Sequence, residues 1–269
     1  MSWDPAQYAR FEAERHRPAL DLLVQLPADL RPREVWDLGC GAGEQAALLA
    51  RRFPDGRVHG LDSSPEMLAR ARTRPERVDW IQADLAAWSP SAPADLILSN
   101  AALHLVPDHE RLFPRLVEAL APDGVLAVQM PVVADEGFRR VVHQAAREGP
   151  WAERLTAVPR LLTLPLERYH ALLKPLCETD LWRTTYLQQL TGPSPVLEWI
   201  KGAYLRRYLA ALPDPAEQEA FLSVLRQRLD RLHPADADGV TLFPFTRLFI
   251  LARRVAPPRA GELAGRRRD

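Results

Sequence analysis

Three acids, three glycines and a few arginines are the residues here whose spacing could do chemistry. Val35-Trp36-Asp37-Leu38-Gly39-Cys40-Gly41-Ala42-Gly43-Glu44 is a short apolar run ending in an acid; glycines then alternate with small residues before the helical pattern of Gln45 to Phe53. Glycine accepts backbone angles that other residues resist, and its missing side chain lets a ligand approach the peptide. A helix start adds free N–H groups and a partial positive charge. Together they make a strand-loop-helix nucleotide cradle. Read from Gly41, the segment fits G-x-G-x-x-A through Gly41, Gly43 and Ala46, the dinucleotide fingerprint. Read from Asp37, it is an acid followed by G-x-G-x-G. A glycine triplet alone does not choose between these, and a glycine-rich turn without a ligand is the bland alternative.

The other acids narrow the choice. Asp62 ends the run Val58-His59-Gly60-Leu61-Asp62, 19 residues after Gly43, a distance that suits a carboxylate bonding the two hydroxyls of a ribose. Asp84 follows the run Val78 to Gln82. An NAD-dependent oxidoreductase would use the same turn, but no acid–base set for hydride transfer stands out and Asp84 has no role in it. His104 could serve as a general base, a packing residue or a hydrogen bond to substrate. Asn100, four residues earlier, marks the same loop as the floor of a reacting site. Arg15 and Arg17 could be a solvated helix face or could close over an anion.

These residues need strands and helices to position them. Strands are expected at 34–38, 58–62, 78–82, 94–99 and 124–130, and helices at 44–53, from Pro65 with Ser63 or Ser64 as cap, and at about 109–120. Strands alternating with helices at this spacing imply an α/β, Rossmann-like, doubly wound sheet with ligands at the strands' C-terminal ends. Ahead of it, Leu20, Leu22, Leu23 and Leu26 are expected to bury one face of a helix. After Met130 the rhythm changes to helices near 135–148, 150–157 and 165–176. A β-branched run at 182–187, helices at about 193–212 and 215–232, and a final strand at 247–252 follow. The expected organisation is an N-terminal helical segment at 1–30 closing over the site and a core at 31–134. Helical cap insertions at 135–181 and 191–240, last strands at 182–190 and 241–254, and a disordered tail at 255–269 complete it.

Composition sets the class. In 269 residues, 35 basic and 35 acidic side chains cancel and 47% are hydrophobic, so no global charge steers the chain to nucleic acid or a membrane. Cys40 and Cys177 cannot form a disulfide framework, and their spacing fits no zinc motif, so no metal is expected. With no bilayer-length apolar run and no signal-like start, a cytoplasmic protein is expected, with a monomer favoured.

The acid before the glycines resembles motif I of the class I S-adenosylmethionine-dependent methyltransferases. Longer segments resemble one family of them, the bacterial trans-aconitate 2-methyltransferases, over nearly the whole chain to about residue 254. Trp3-Asp4-Pro5, Tyr8, Glu14-Arg15-x-Arg17-Pro18, Gly60-Leu61-Asp62-Ser63-Ser64-Pro65, Ala83-Asp84, Asn100-Ala101-x-Leu103 and Pro107-Asp108-His109 are similar to its opening and core. More selective are Gly124 to Pro131 with Gln129, Trp182-Arg183-Thr184-Thr185-Tyr186, Gly202-x-x-Leu205-Arg206 and Phe245-x-Arg247-Leu248-Phe249-Ile250. Departures stand at His104-Leu105, Val132-Val133, Leu187-Gln188 and Arg207.

The resemblance implies a seven-stranded methyltransferase fold with a helical cap and S-adenosyl-L-methionine as cofactor. Asp37 would face its methionine end, Asp62 hold its ribose hydroxyls and Asp84 its adenine amino group, with Gly39, Gly41, Gly43, Ser63, Met67, Ala83, Leu85 and Asn100 also in the cofactor site. It also implies a small carboxylate as acceptor, trans-aconitate or a close relative, held by Tyr8, Arg15, Gln129, Arg183, Tyr186 and Arg206. A carboxylate is ionised at neutral pH and needs no general base, so the arginines' bidentate forks would do the holding. Two rivals remain: a methyltransferase for hydroxyls or amines with His104 as base, and a non-catalytic S-adenosylmethionine-binding protein.

Overall fold

Strand β1 (Glu34–Leu38) lies inside the fold, with its last four residues, Asp37 among them, buried. In the computed structural model, which describes residues 12–133, 137–159, 163–202 and 204–255, the chain first forms α1 (Glu12–Val24) and then β1. Next come α2 (Glu44–Arg52), β2 (Arg57–Asp62), α3 (Pro65–Ala71), β3 (Val78–Gln82), β4 (Ala94–Asn100), α4 (His109–Glu118) and β5 (Leu120–Pro131). The remainder is α5 (Gly137–Arg147), α6 (Ala152–Thr156), α7 (Leu166–Leu173), β6 (Cys177–Thr191), α8 (Pro195–Lys201), α9 (Arg206–Ala210), α10 (Pro215–Leu232) and β7 (Val240–Arg254). Expectations at Tyr8, at the side chain of Arg15 and in the tail beyond Val255 lie outside the described residues.

Among the described residues one seven-stranded sheet forms, in the order β3-β2-β1-β4-β5-β7-β6, and β1 to β5 pair in parallel. The reversal of order beside β1 leaves a crevice at the strands' C-terminal ends, the topological switch point of this α/β class. The expected doubly wound, Rossmann-like fold is therefore present.

The chain divides into two compact units. Of the described residues, the core unit holds 21–130, 164–183 and 248–255. Here α7, expected in a cap insertion, packs on α4 instead, through the Phe113–Tyr169 ring contact at 4.7 Å. Of the described residues, the second unit holds 12–20, 131–133, 137–159, 163, 184–202 and 204–247 and has its own apolar core. In it α5 packs on α10, whose Phe221, Leu222, Leu225 and Leu229 repeat at helical spacing and are all buried. Asp214 caps α10 by accepting the Ala216 N–H at 2.9 Å, and Pro215 opens the helix, matching the expected bounds.

Three expectations need correction. Leu20 is 46% exposed, whereas Ala19, Leu22, Leu23 and Leu26 are buried. Those four follow the i, i+3, i+4, i+7 stripe, and Leu20 sits one residue off it. The helix expected at 193–212 is two helices, because Gly202 ends α8 and the Leu205 N–H turns back to the Ile200 carbonyl at 3.0 Å. Strand β6 also begins at Cys177, ahead of the expected 182, since a longer ladder satisfies backbone groups that the sequence pattern leaves unassigned, whereas β7 adds only Val240 to the expected 241–254.

Candidate functional site

The crevice is furnished by the ends of five parallel strands. Asp37 is the next-to-last residue of β1, Asp62 closes β2, Asp84 lies just past β3, and Asn100 and Gln129 pair in register at the ends of β4 and β5. The glycine turn is held by backbone bonds, with the Gly39 and Cys40 N–H groups donating to the Leu61 carbonyl at 2.8 and 2.9 Å. Gly39, Gly41 and Gly43 all have positive φ, at 76°, 56° and 84°, where a side chain is strained. A Cβ on Gly39 would lie 2.2 Å from Ala102 Cβ, whereas one on Gly41 would meet nothing within 4 Å. Gly39 is thus a packing glycine, and Gly41 is the open lip of the cradle.

Asp37 is 1% exposed, and its Oδ2 has no hydrogen-bond partner among the described residues. Burial first, then repulsion from Asp62 and Glu44, push its pKa up to about 7 against the lowering effect of the Ala46 N–H. A carboxylate held this way gains from a cationic group. Asp62 is half-buried and spends one acceptor site on each oxygen, Oδ2 on the Gly41 N–H and Oδ1 on the Ser64 N–H, both at 2.9 Å. Asp84 is exposed, and its Oδ1 caps the turn at Leu85–Ala87 by accepting the Ala86 N–H at 2.9 Å. Both acids keep lone pairs for a ligand. Ser63 is exposed and Met67 half-buried on the first turn of α3, whose cap is Ser64 Oγ. Ala83 is half-buried and Leu85 buried beside Asp84. An open glycine lip, a cation-seeking buried acid and two further carboxylates fit a nucleoside that carries an amino-acid ammonium.

Asn100 Oδ1 and Gln129 Nε2 are also buried without a partner among the described residues. The loop after β4 passes through Ala101 at φ 54° and carries His104, half-buried in the turn Leu103–Leu105. His109 and Tyr169 hold it in place: His109 Nε2 donates to the Leu103 carbonyl at 3.0 Å, and Tyr169 O–H donates to His109 Nδ1 at 2.5 Å. Burial lowers the His109 pKa, consistent with that neutral tautomer.

The other candidates fall in two places. Arg183 is exposed on the part of β6 within the core unit, the unit that also holds Gln129. Tyr186 is buried in the second unit, and the Arg17 guanidinium stands 5.6 Å over its ring. Arg206 is exposed on α9, and the half-buried arginine is its neighbour Arg207.

Several structural partners went unread in the sequence. Trp80 fills the space that Cβ atoms on Gly43 and Gly60 would need, at 2.4 and 2.5 Å, so both glycines serve the packing of that ring. Arg74 Nε donates to the Ala42 carbonyl at 2.6 Å, and its terminal nitrogen pairs with Glu44, bracing the turn from the α3–β3 connection. No local pattern announces a contact spanning 32 residues. His109 did stand in a quoted motif, but its partner Tyr169 did not.

The comparisons with known proteins agree with this geometry. A family model described as "Methyltransferase domain" matches residues 35–124, from β1 to the start of β5. The trans-aconitate 2-methyltransferase of Azoarcus sp. (strain BH72) is 45% identical over 255 residues, covering 94% of this chain and 99% of that one. That of Variovorax paradoxus (strain S110) is 43% identical over 260 residues, covering 95% and 100%. Among solved structures, the YcgJ protein of Bacillus subtilis superposes with a TM-score of 0.57 at 15% identity, covering 90% and 99%, a likeness of fold alone.

Proposed function

The chain belongs to the trans-aconitate 2-methyltransferase family, and from that membership we propose that it esterifies one carboxylate of a small polycarboxylic acid, trans-aconitate or a close relative. S-adenosyl-L-methionine is its cofactor and supplies a methyl group activated on a sulfonium. The observation that carries the acceptor reading is the extent of the likeness. It runs over 94% of the chain, well past the 35–124 segment that methyltransferases at large share.

On this reading Asp37 accepts the cofactor's ammonium, Asp62 its ribose hydroxyls and Asp84 its adenine amino group. Gly41 lets the ligand close on the peptide, while Gly39, Gly43, Ser63, Met67, Ala83, Leu85 and Asn100 shape the walls. Asp62 needs no movement to do this, because the Gly41 and Ser64 N–H groups already fix its plane. A charge-assisted hydrogen bond contributes about 1.5–3 kcal/mol, so losing it costs roughly tenfold or more in affinity.

At the acceptor, the protein's task is placement. A carboxylate has a pKa near 4 and is ionised at pH 7, so its esterification asks no proton of His104. It must be stripped of water and aligned. Gln129, Arg183, Tyr186 and Arg206 are the candidate holders, with Arg15, Arg17 and Tyr8 from the N-terminal segment. Two buried free thiols, Cys40 and Cys177, support a reducing cytoplasmic setting, with the acid free in solution and the enzyme monomeric.

Transfer of labelled methyl groups to a panel of acids, alcohols and amines tests the proposal. A product that releases methanol in alkali, formed from di- and tricarboxylates, is the expected result. Efficient methylation of alcohols or amines with no polycarboxylate turnover would overturn it and bring His104 forward as a base. Cofactor binding with no turnover on any acceptor would favour a binding protein.

A further inference from the structure

Arg74 reaches the glycine turn from outside it. It stands just past α3, where its own N–H donates to the Ala71 carbonyl at 3.1 Å. Its Nε donates to the Ala42 carbonyl at 2.6 Å, and a terminal nitrogen pairs with Glu44, the first residue of α2. The Arg74 and Glu44 side chains are 31% and 25% exposed, so solvent screens their pairing only in part. Ala42 sits between two left-handed glycines, Gly41 at φ 56° and Gly43 at φ 84°. The peptide that leaves Ala42 is pinned at both ends: Arg74 holds its carbonyl, and its N–H, that of Gly43, donates to the Cys40 carbonyl at 2.9 Å.

Glu44 has a second neighbour. Two residues on, the Ala46 N–H donates to Asp37, so the Glu44 and Asp37 carboxyls meet at the first turn of α2 and repel each other. Asp62 faces Asp37 from β2, Cys40 faces it from the turn, and the uncharged Leu98 pairs with it on β4. Burial pushes the Cys40 thiol up and keeps it neutral. The charges about Asp37 are therefore Asp62 and Glu44, with Arg74 as the cation set on Glu44.

We propose that Arg74 is a positioning residue of the cofactor site, holding the Ala42 peptide in place and offsetting the Glu44 charge beside Asp37. The inference rests on the reading in which Asp37 accepts the cofactor's ammonium, and deepens it. Arg74 acts through the turn and through Glu44. Without it the Glu44 charge is bare, Asp37 gives up its proton less readily, and the ammonium meets a neutral acid. No covalent bond is made or broken.

The test is calorimetry of S-adenosyl-L-methionine binding across pH, with wild type, Arg74→Gln, Glu44→Gln, the double variant and Asp37→Asn. Affinity falls toward alkali as the cofactor's own amino group, of pKa about 8, loses its proton, a limb common to all five proteins. The acid limb belongs to Asp37. Arg74→Gln should bind about tenfold more weakly near neutral pH. It should also move the acid limb up by about half a pH unit, the size of effect a partly exposed charge exerts. Glu44→Gln leaves the Ala42 bond in place and should move that limb down, with neutral-pH affinity at or above wild type. The double variant should return the limb to the wild-type position or below it. A brace with no charge role would weaken binding equally at every pH. Acid limbs that coincide in wild type, Arg74→Gln and Glu44→Gln would overturn the proposal, as would an Arg74→Gln protein that binds like wild type throughout. Asp37→Asn separates the two readings. If it keeps the affinity and the acid limb of wild type, the Asp37 assignment fails. If it loses the limb while Arg74 and Glu44 leave it unmoved, only the role of Arg74 is refuted.

Discussion

Asp62 Oδ2 accepts the Gly41 N–H at 2.9 Å, so the acid that ends β2 is a strut for the glycine loop that leaves β1. Its other oxygen accepts the Ser64 N–H at 2.9 Å, tying the same side chain to the start of α3. Asp62 therefore builds the cradle in which we propose that it also binds. Asp62→Ala should lose at least about tenfold in cofactor affinity and destabilise the protein by about 1–3 kcal/mol. Asp62→Asn, which keeps one acceptor oxygen, should fall between. Calorimetry and denaturant titration check both values, and an alanine variant that binds cofactor like wild type would refute the assignment.

Asp37 should make cofactor binding and its own contribution to stability respond to pH in opposite directions. Its pKa is 3.8 ordinarily and about 7 in the fold, so between these values the folded state holds a proton that the unfolded state has lost. The Asp37 contribution to the stability of the free protein is then fully present below about pH 4 and is lost, by about 4 kcal/mol, as pH rises to about 7. A cationic ligand prefers the carboxylate form, so cofactor affinity should rise over the upper part of that window. Asp37→Asn should flatten the stability profile and raise the melting temperature at alkaline pH while weakening cofactor binding. Melting curves of both proteins across this range decide it.

The two glycines of the loop should respond differently to alanine. At Gly39 the new Cβ would lie 2.2 Å from Ala102 Cβ at φ 76°, so clash adds to strain. At Gly41 the space is open and only φ 56° opposes the change, a cost of about 1–2 kcal/mol. Gly39→Ala should therefore lose the larger amount of stability, and Gly41→Ala should lose cofactor affinity while remaining folded. Equal melting temperatures for the two variants would contradict this.

Tyr169→Phe removes the donor to His109 Nδ1 and leaves that nitrogen buried, a loss of about 1–3 kcal/mol. The loop carrying His104 should loosen, so turnover should fall more than cofactor affinity. Burial lowers the His109 pKa below 6.5, so its contribution is present above that value and is lost as pH falls through it. Tyr169→Phe should move the acid-side loss of activity to higher pH, and an unchanged pH–rate profile would count against the Tyr169–His109 bond as a support of this loop.

The sequence by itself determined the parallel sheet and the place of the cradle. Strand pattern, glycine spacing and caps such as Ser64 and Asp214 are local, set by residues a few positions apart. Asp37, Asp62 and Asp84 were legible because each ends or follows an apolar run, and parallel pairing then brings such ends to one edge. Only the tertiary structure decided which side chains finish the site. Trp80 over Gly43 and Gly60, Arg74 on the Ala42 carbonyl and Tyr169 on His109 are contacts across long loops, with no periodicity to announce them. The same limit governed Leu20, one residue off its stripe, and the pair Arg206 and Arg207, of which the structure exposes the first and half-buries the second. Which way an arginine faces depends on what its helix packs against, and a rotation of 100° per residue gives adjacent side chains opposite fates.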